Sequence, residues 1–107
     1  MSLELYVNFE DVVWYNKNKP QLICDIKRKE TYAGVFEDSF WLKENKRDRG
    51  EKDCPYDVSI SFLDMTIYLN IVSNSRAIVR DLGGFLDDIR QATRAYVQDE
   101  DGEYSDW

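Results

Sequence analysis

The stretch Asp57–Val97, DVSISFLDMTIYLNIVSNSRAIVRDLGGFLDDIRQATRAYV, holds the clearest apolar patterning in the chain. Val58, Ile60 and Phe62 alternate with Asp57, Ser59 and Ser61, the period of two that marks a strand with one buried face. Asp64-Met65 makes a turn. Ile67, Leu69 and Ile71 then share one face of a second strand over Thr66–Val72, with Thr66, Tyr68 and Asn70 on the other. Ser73-Asn74-Ser75 is a further turn, because short polar side chains bond their own backbone. Two readings fit the residues after this turn. Ile78, Leu82, Phe85, Leu86, Ile89, Thr93 and Tyr96 fall at helical spacing, consistent with one long helix from Ser75. Gly83-Gly84 opposes it, since each glycine costs about 1 kcal/mol inside a helix. The preferred reading is a strand over Arg76–Arg80, then the glycines, then a helix from Leu82 to Val97. Its stripe Leu82, Phe85, Leu86, Ile89, Ala92, Tyr96 would lie on the sheet.

Outward from this stretch, Leu3, Leu5, Val7 and Phe9 alternate with Glu4, Tyr6 and Asn8 and predict a first strand. Glu10-Asp11 reads as a bend, a bulge or a tight connection, after which Val12, Val13, Trp14 and Tyr15 continue apolar. Asn16-Lys17-Asn18-Lys19-Pro20 reads as a polar loop closed by proline. Gln21–Lys29 reads as the next strand, with Leu22, Cys24 and Ile26 on one face, and Lys27-Arg28-Lys29 as its solvated end. Thr31–Val35 predicts a short strand in which Gly34 marks a bulge or a close approach. Phe36, Phe40, Trp41 and Leu42 form an aromatic cluster whose spacing fits neither period. Lys43–Asp53 is polar throughout and reads as an exposed, mobile loop.

The chain has 107 residues, 43% of them hydrophobic and 14% aromatic, enough for one core in one domain. A net charge of -7 disfavours general affinity for nucleic acid or anionic membranes. The absence of histidine removes the usual general base and the commonest transition-metal ligand. Cys24 and Cys54 lack the CxxC spacing of a zinc site. Cys24, among Leu22, Ile23 and Ile26, is expected to be a buried thiol, while a Cys24–Cys54 disulfide stays open. No leader peptide and no apolar run of about 20 residues is seen, so cytoplasm is the expected location and no membrane contact is expected.

Charge is distributed unevenly. Residues 17–52 carry ten bases against seven acids, whereas residues 99–107 carry five acids and no base. The chain therefore divides into a domain over 1–98 and an acidic C-terminal tail over 99–107. Asp99, Glu100, Asp101, Glu103 and Asp106, with the aromatic anchors Tyr104 and Trp107, fit a segment that pairs with Arg or Lys of a basic protein. Asp87 and Asp88, with Asp81 before them, extend that acidic face, although acids near a helix N-terminus are also explained by its dipole. Adjacent residues such as Asp87-Asp88 point about 100° apart on a helix and form no catalytic dyad. The tail lacks the spacing of a calcium loop, and no nucleophile elbow, P-loop or dinucleotide fingerprint is present. No enzyme activity, cofactor or metal is expected. Lys43–Lys52 with Trp41 has some look of a nucleic-acid contact, but Glu44, Asp48 and Glu51 interrupt it.

In size, acidity and expected sheet-plus-helix architecture, with the stretch Asp81-Leu82-Gly83-Gly84-Phe85-Leu86-Asp87-Asp88-Ile89, the chain resembles the immunity proteins of contact-dependent inhibition and polymorphic toxin systems. The resemblance implies a protein that neutralises a toxin, often a nuclease, by binding its active site or a neighbouring surface. The expectation is therefore an α+β fold: an antiparallel sheet of about five strands with one main C-terminal amphipathic helix packed on it. The expected function is stoichiometric inhibition of a basic bacterial toxin by a chain that is monomeric when free. Tyr104 and Trp107, with Trp14 or Tyr15, would fix the partner. The alternative is a structural or adaptor protein that self-associates through a sheet edge or the cluster around Trp41.

Overall fold

The computed structural model describes residues 3–44 and 55–107. The fold is α+β. Its elements run β1 (Leu3–Phe9), α1 (Val12–Lys27), β2 (Tyr32–Phe36), β3 (Ser39–Leu42), β4 (Val58–Phe62), β5 (Thr66–Ile71), α2 (Arg76–Ala92) and β6 (Ala95–Gln98). The six strands form one sheet in the order β2-β3-β4-β5-β1-β6, and all neighbours are antiparallel. Alternation settles the faces. Leu5, Val7, Ile60, Ile67, Leu69 and Val97 are buried with both helices on one side. Glu4, Tyr6, Ser61, Tyr68, Asn70 and Gln98 point the other way. The expected strands over Leu3–Phe9 and Val58–Phe62 stand at those positions and with those faces, and the one expected over Thr66–Val72 ends one residue earlier, at Ile71. The expected bulge is also present: the β2–β3 register shifts between Tyr32 and Gly34, and Gly34 has φ 136°.

Three local expectations are overturned. First, Val12–Lys27 is a helix, not a loop followed by a strand. Asp11 caps it by accepting from the Trp14 amide at 3.0 Å. Tyr15, Leu22 and Ile26 lie along one buried stripe. The stripe is obscured in the sequence because Asn18 and Lys19 occupy its middle. Lys19 instead lays its ammonium over the Tyr15 ring, 4.9 Å from the centroid. Pro20 is exposed within the helix, where proline costs about 3 kcal/mol, and burial of the stripe offsets that penalty. Asn16 and Asn18 donate back to the carbonyls of Val12 and Trp14. In consequence Cys24 is exposed on α1 and not buried, and Lys27-Arg28-Lys29 ends a helix, where positive charge suits the dipole. Cys54 and the bulk of the predicted loop over Lys43–Asp53 lie outside the described residues.

Second, Arg76–Arg80 begins a helix that runs straight through Gly83-Gly84. Ile78, Leu82, Phe85, Leu86 and Ile89 are all buried, so packing outweighs the low propensity of two glycines. Third, α2 ends at Ala92, and Tyr96 belongs to β6. Phe36, Phe40, Trp41 and Leu42 resolve into a tight β2–β3 hairpin whose first turn residue, Glu37, has φ 56°.

Two polar ties seat the helices. The Tyr15 hydroxyl donates to Leu63 O at 2.6 Å and Thr66 O at 3.1 Å, at the β4–β5 turn. Burial, then the nearby Asp64 charge, push this phenol up to about 12. Asp81 is a buried carboxylate on α2. Its Oδ2 accepts from Thr31 N at 2.9 Å and Thr31 Oγ1 at 2.7 Å, and its Oδ1 accepts from Arg80 Nε at 3.0 Å. Burial alone would raise this carboxyl, but the hydrogen bonds from Arg80 and Thr31 outweigh it and hold it below the ordinary range.

Replacing Asp81 by Ala strands the buried Thr31 N–H and is expected to cost about 2–3 kcal/mol by urea denaturation at pH 7. Because the folded carboxyl is depressed, its contribution is present above the unfolded pKa near 4 and is lost as the pH falls through the folded value. The gap between wild type and Asp81→Ala should therefore narrow on acidification. A Cβ at Gly83 meets no atom within 4 Å, so Gly83→Ala is expected to raise stability by about 1 kcal/mol in the same assay.

Candidate partner-binding site

The acidic tail is folded onto the sheet. β6 pairs with β1 only from Tyr6 to Phe9, leaving the Leu3–Leu5 end of that edge uncovered. Residues 99–107 lie beside that end, across a cavity from Leu3 and Leu5. Asp99 Oδ1 accepts from the Asp101 and Glu103 amides at 2.9 and 3.0 Å, a short polar side chain closing its own turn, and Gly102 takes φ 83° there. The chain then returns along β6: Ser105 N donates to Val97 O at 2.8 Å, and Tyr104 bridges Gln98. Trp107 packs against the core, and Leu3, Leu5, Asp99, Tyr104, Ser105, Asp106 and Trp107 line a shallow cavity of about 320 Å³.

This path separates the expected partner-binding residues into distinct roles. Asp99 and Trp107 are structural: one closes the turn and the other is half-buried. Glu100, Asp101, Glu103 and Asp106 are exposed, as is Tyr104, 73% accessible and 6.0 Å from the Tyr96 ring. Asp87 and Asp88 are exposed but lie in the C-terminal half of α2, so the helix dipole does not explain them. Asp87 pairs with Arg90 at 3.2 Å, and Arg90 also donates to the backbone oxygen of Trp107. That link brings α2 beside the end of the tail. Tyr15 is fully buried and cannot meet a partner, and Trp14 is half-buried against Phe9.

Glu4 joins the site without having been expected there. The tail carries Glu100 to within hydrogen-bonding reach of the Glu4 carboxylate on β1. That contact, then the Glu4 charge, and then lesser contributions from burial, Asp101 and Asp99, push the Glu100 carboxyl above its ordinary value. Glu4 also accepts from the Tyr68 hydroxyl at 2.6 Å; burial first, then this bond, raise that phenol. Among the described residues no lysine or arginine pairs with Glu4 or Glu100.

Glu4 stands on the sheet face that neither helix covers. Tyr6 and Tyr68 pack at 5.2 Å beside it, and Trp41 stacks on Phe36 at 5.5 Å and tilts on Tyr56 at 5.3 Å. The outward positions of β1, β4, β5 and β6 carry no lysine or arginine. The signal for this face was the polar half of each alternating strand, which reads as ordinary solvent exposure until the cross-strand register places its aromatics together. A second acidic group, Glu37, Asp38 and Asp64, rims a cleft of about 470 Å³ beside α1, over Ile23, Phe40, Phe62 and Leu63, with Lys19 at its edge.

Because Glu100 is raised by a like charge, protonation favours the folded state, and stability should increase as the pH falls through the raised value. Glu100→Gln removes the repulsion and should shift the urea midpoint upward at pH 7, with the difference vanishing in acid. No helix among the described residues is long and apolar enough to cross a membrane, and no group of three or more cysteine or acidic residues is placed there to hold a metal. Comparison of the chain with protein families, characterised proteins and solved structures finds no match, so what this site does is read from its own chemistry.

Proposed function

We propose that the protein is a non-catalytic inhibitor that binds a basic protein, and that it acts in the cytoplasm as an immunity protein against a toxin, most specifically a nuclease. The exposed acids of the tail, set beside the sheet face that carries Glu4, Tyr6 and Tyr68, carry this reading. Among the described residues no base offsets these acids, and a cationic partner relieves their mutual repulsion on docking. A nuclease supplies such cations, because the bases that hold its phosphates are preorganised for negative charge. The overall charge of -7 steers encounter from a distance, and the exposed Tyr104 with the neighbouring carboxylates supplies contacts at close range.

A second reading is favoured by the edge of the sheet. Val35 and Phe36 are 52% and 59% accessible on the edge strand β2, which suits self-association in a structural or adaptor role.

The two are separated by affinity capture from the native source, followed by light scattering and stopped-flow association. The inhibitor reading expects a monomer that forms an equimolar complex with one basic protein and suppresses its activity, with an on-rate falling about tenfold or more between low and high salt. A salt-independent on-rate overturns steering. A stable homo-oligomer that retains no other protein overturns the inhibitor in favour of the adaptor.

A further inference from the structure

We propose that the open face of the sheet around Glu4, Tyr6 and Tyr68 is the docking surface for the basic partner, which seats an arginine side chain between Glu4 and Glu100. The inference rests on the inhibitor reading and names its site. Acceptors outnumber donors at this spot. Among the described residues Glu4 receives only the Tyr68 hydroxyl, and Glu100 receives no base. A guanidinium brings five N–H donors in a planar fork that matches two carboxylates, and its face stacks on tyrosine. Tyr6 and Tyr68 lie in contact beside Glu4, and the Tyr68 hydroxyl is already anchored, so little side-chain freedom remains to be lost on binding.

Charge selects the occupant. A second copy of this chain would bring Glu4 and Glu100 against their own kind. Single-stranded nucleic acid finds rings to stack on here, but its phosphates would meet a face whose outward strand positions on β1, β4, β5 and β6 carry one charge, the Glu4 carboxylate, and no base. A protein surface presenting arginine suffers neither penalty.

The test titrates isotope-labelled protein with an octa-arginine peptide, an octa-lysine peptide and a single-stranded oligonucleotide, following backbone amide and tyrosine ring resonances. The arginine peptide is expected to shift Glu4, Tyr6, Tyr68 and Glu100 first and to bind several-fold tighter than the lysine peptide. Glu4→Gln/Glu100→Gln should weaken it about tenfold. Asp87→Asn/Asp88→Asn, which removes the same charge from α2, should change it less than twofold. Glu100→Gln alone alters an exposed side chain and keeps the test valid if the double variant does not fold. Equal weakening by the two double variants, shifts confined to α2, or saturable oligonucleotide binding on this face would overturn the proposal. The captured partner separates the two readings. Arginine-peptide binding at this face by a protein that retains no basic partner keeps the surface and removes the inhibitor function. A basic partner held equally by wild type and Glu4→Gln/Glu100→Gln keeps the inhibitor function and overturns this surface.

Discussion

The pairing of β1 between β5 and β6 fixes the orientation of every side chain that matters in this molecule. Leu5 faces Leu69, Val7 faces both Ile67 and Val97, and these residues meet the helices. The same register sets Tyr6 opposite Tyr68 and Gln98, and Glu4 opposite Asn70, on the other side. A slip of one residue would exchange the two sets, burying Glu4 and Tyr6 under α2 and exposing the aliphatic row. The apolar face thus enforces the geometry of the polar one, and the open surface inherits a precision that its own contacts would not supply.

Both helices lie on one side of the sheet, and each is pinned by a polar group as well as by its stripe. Tyr15 reaches the β4–β5 turn, and Asp81 reaches the residue before β2. Neither group is left unsatisfied, which is the condition under which burial of a phenol or a carboxylate is tolerated. Packing both helices on one side leaves the opposite face without a helix over it among the described residues. Its aromatic rings pair among themselves, so part of their area is shielded without a covering layer.

The two carboxylates whose acidities shift most instructively do so in opposite senses. Asp81 is surrounded by donors and is stabilised as an anion. Glu100 is crowded by other acids and is destabilised as one. The first belongs to the folded scaffold and needs nothing further. The second is a local excess of negative charge that a partner cation relieves, and its place on the rim of the uncovered face gives the surface a chemical preference.

Strict alternation in Leu3–Phe9, Val58–Phe62 and Thr66–Ile71 determined three strands and their buried faces, because a period of two has no other regular solution. Composition determined the acidity, and the count of five carboxylates after Val97 determined that the tail was unusual. Only the tertiary structure decided that Val12–Lys27 is a helix. Its stripe is broken by Asn18 and Lys19, its interior holds Pro20, and local propensity loses there to the burial of Tyr15, Leu22 and Ile26. The same competition carried α2 through Gly83-Gly84. The site divides along the same line. The tail acids were legible, but the meeting of Glu100 with Glu4, 96 residues away in sequence, arises from the course of the chain as it leaves β6 beside the unpaired end of β1. No periodicity encodes that encounter, since it depends on which strand is left short at the sheet edge.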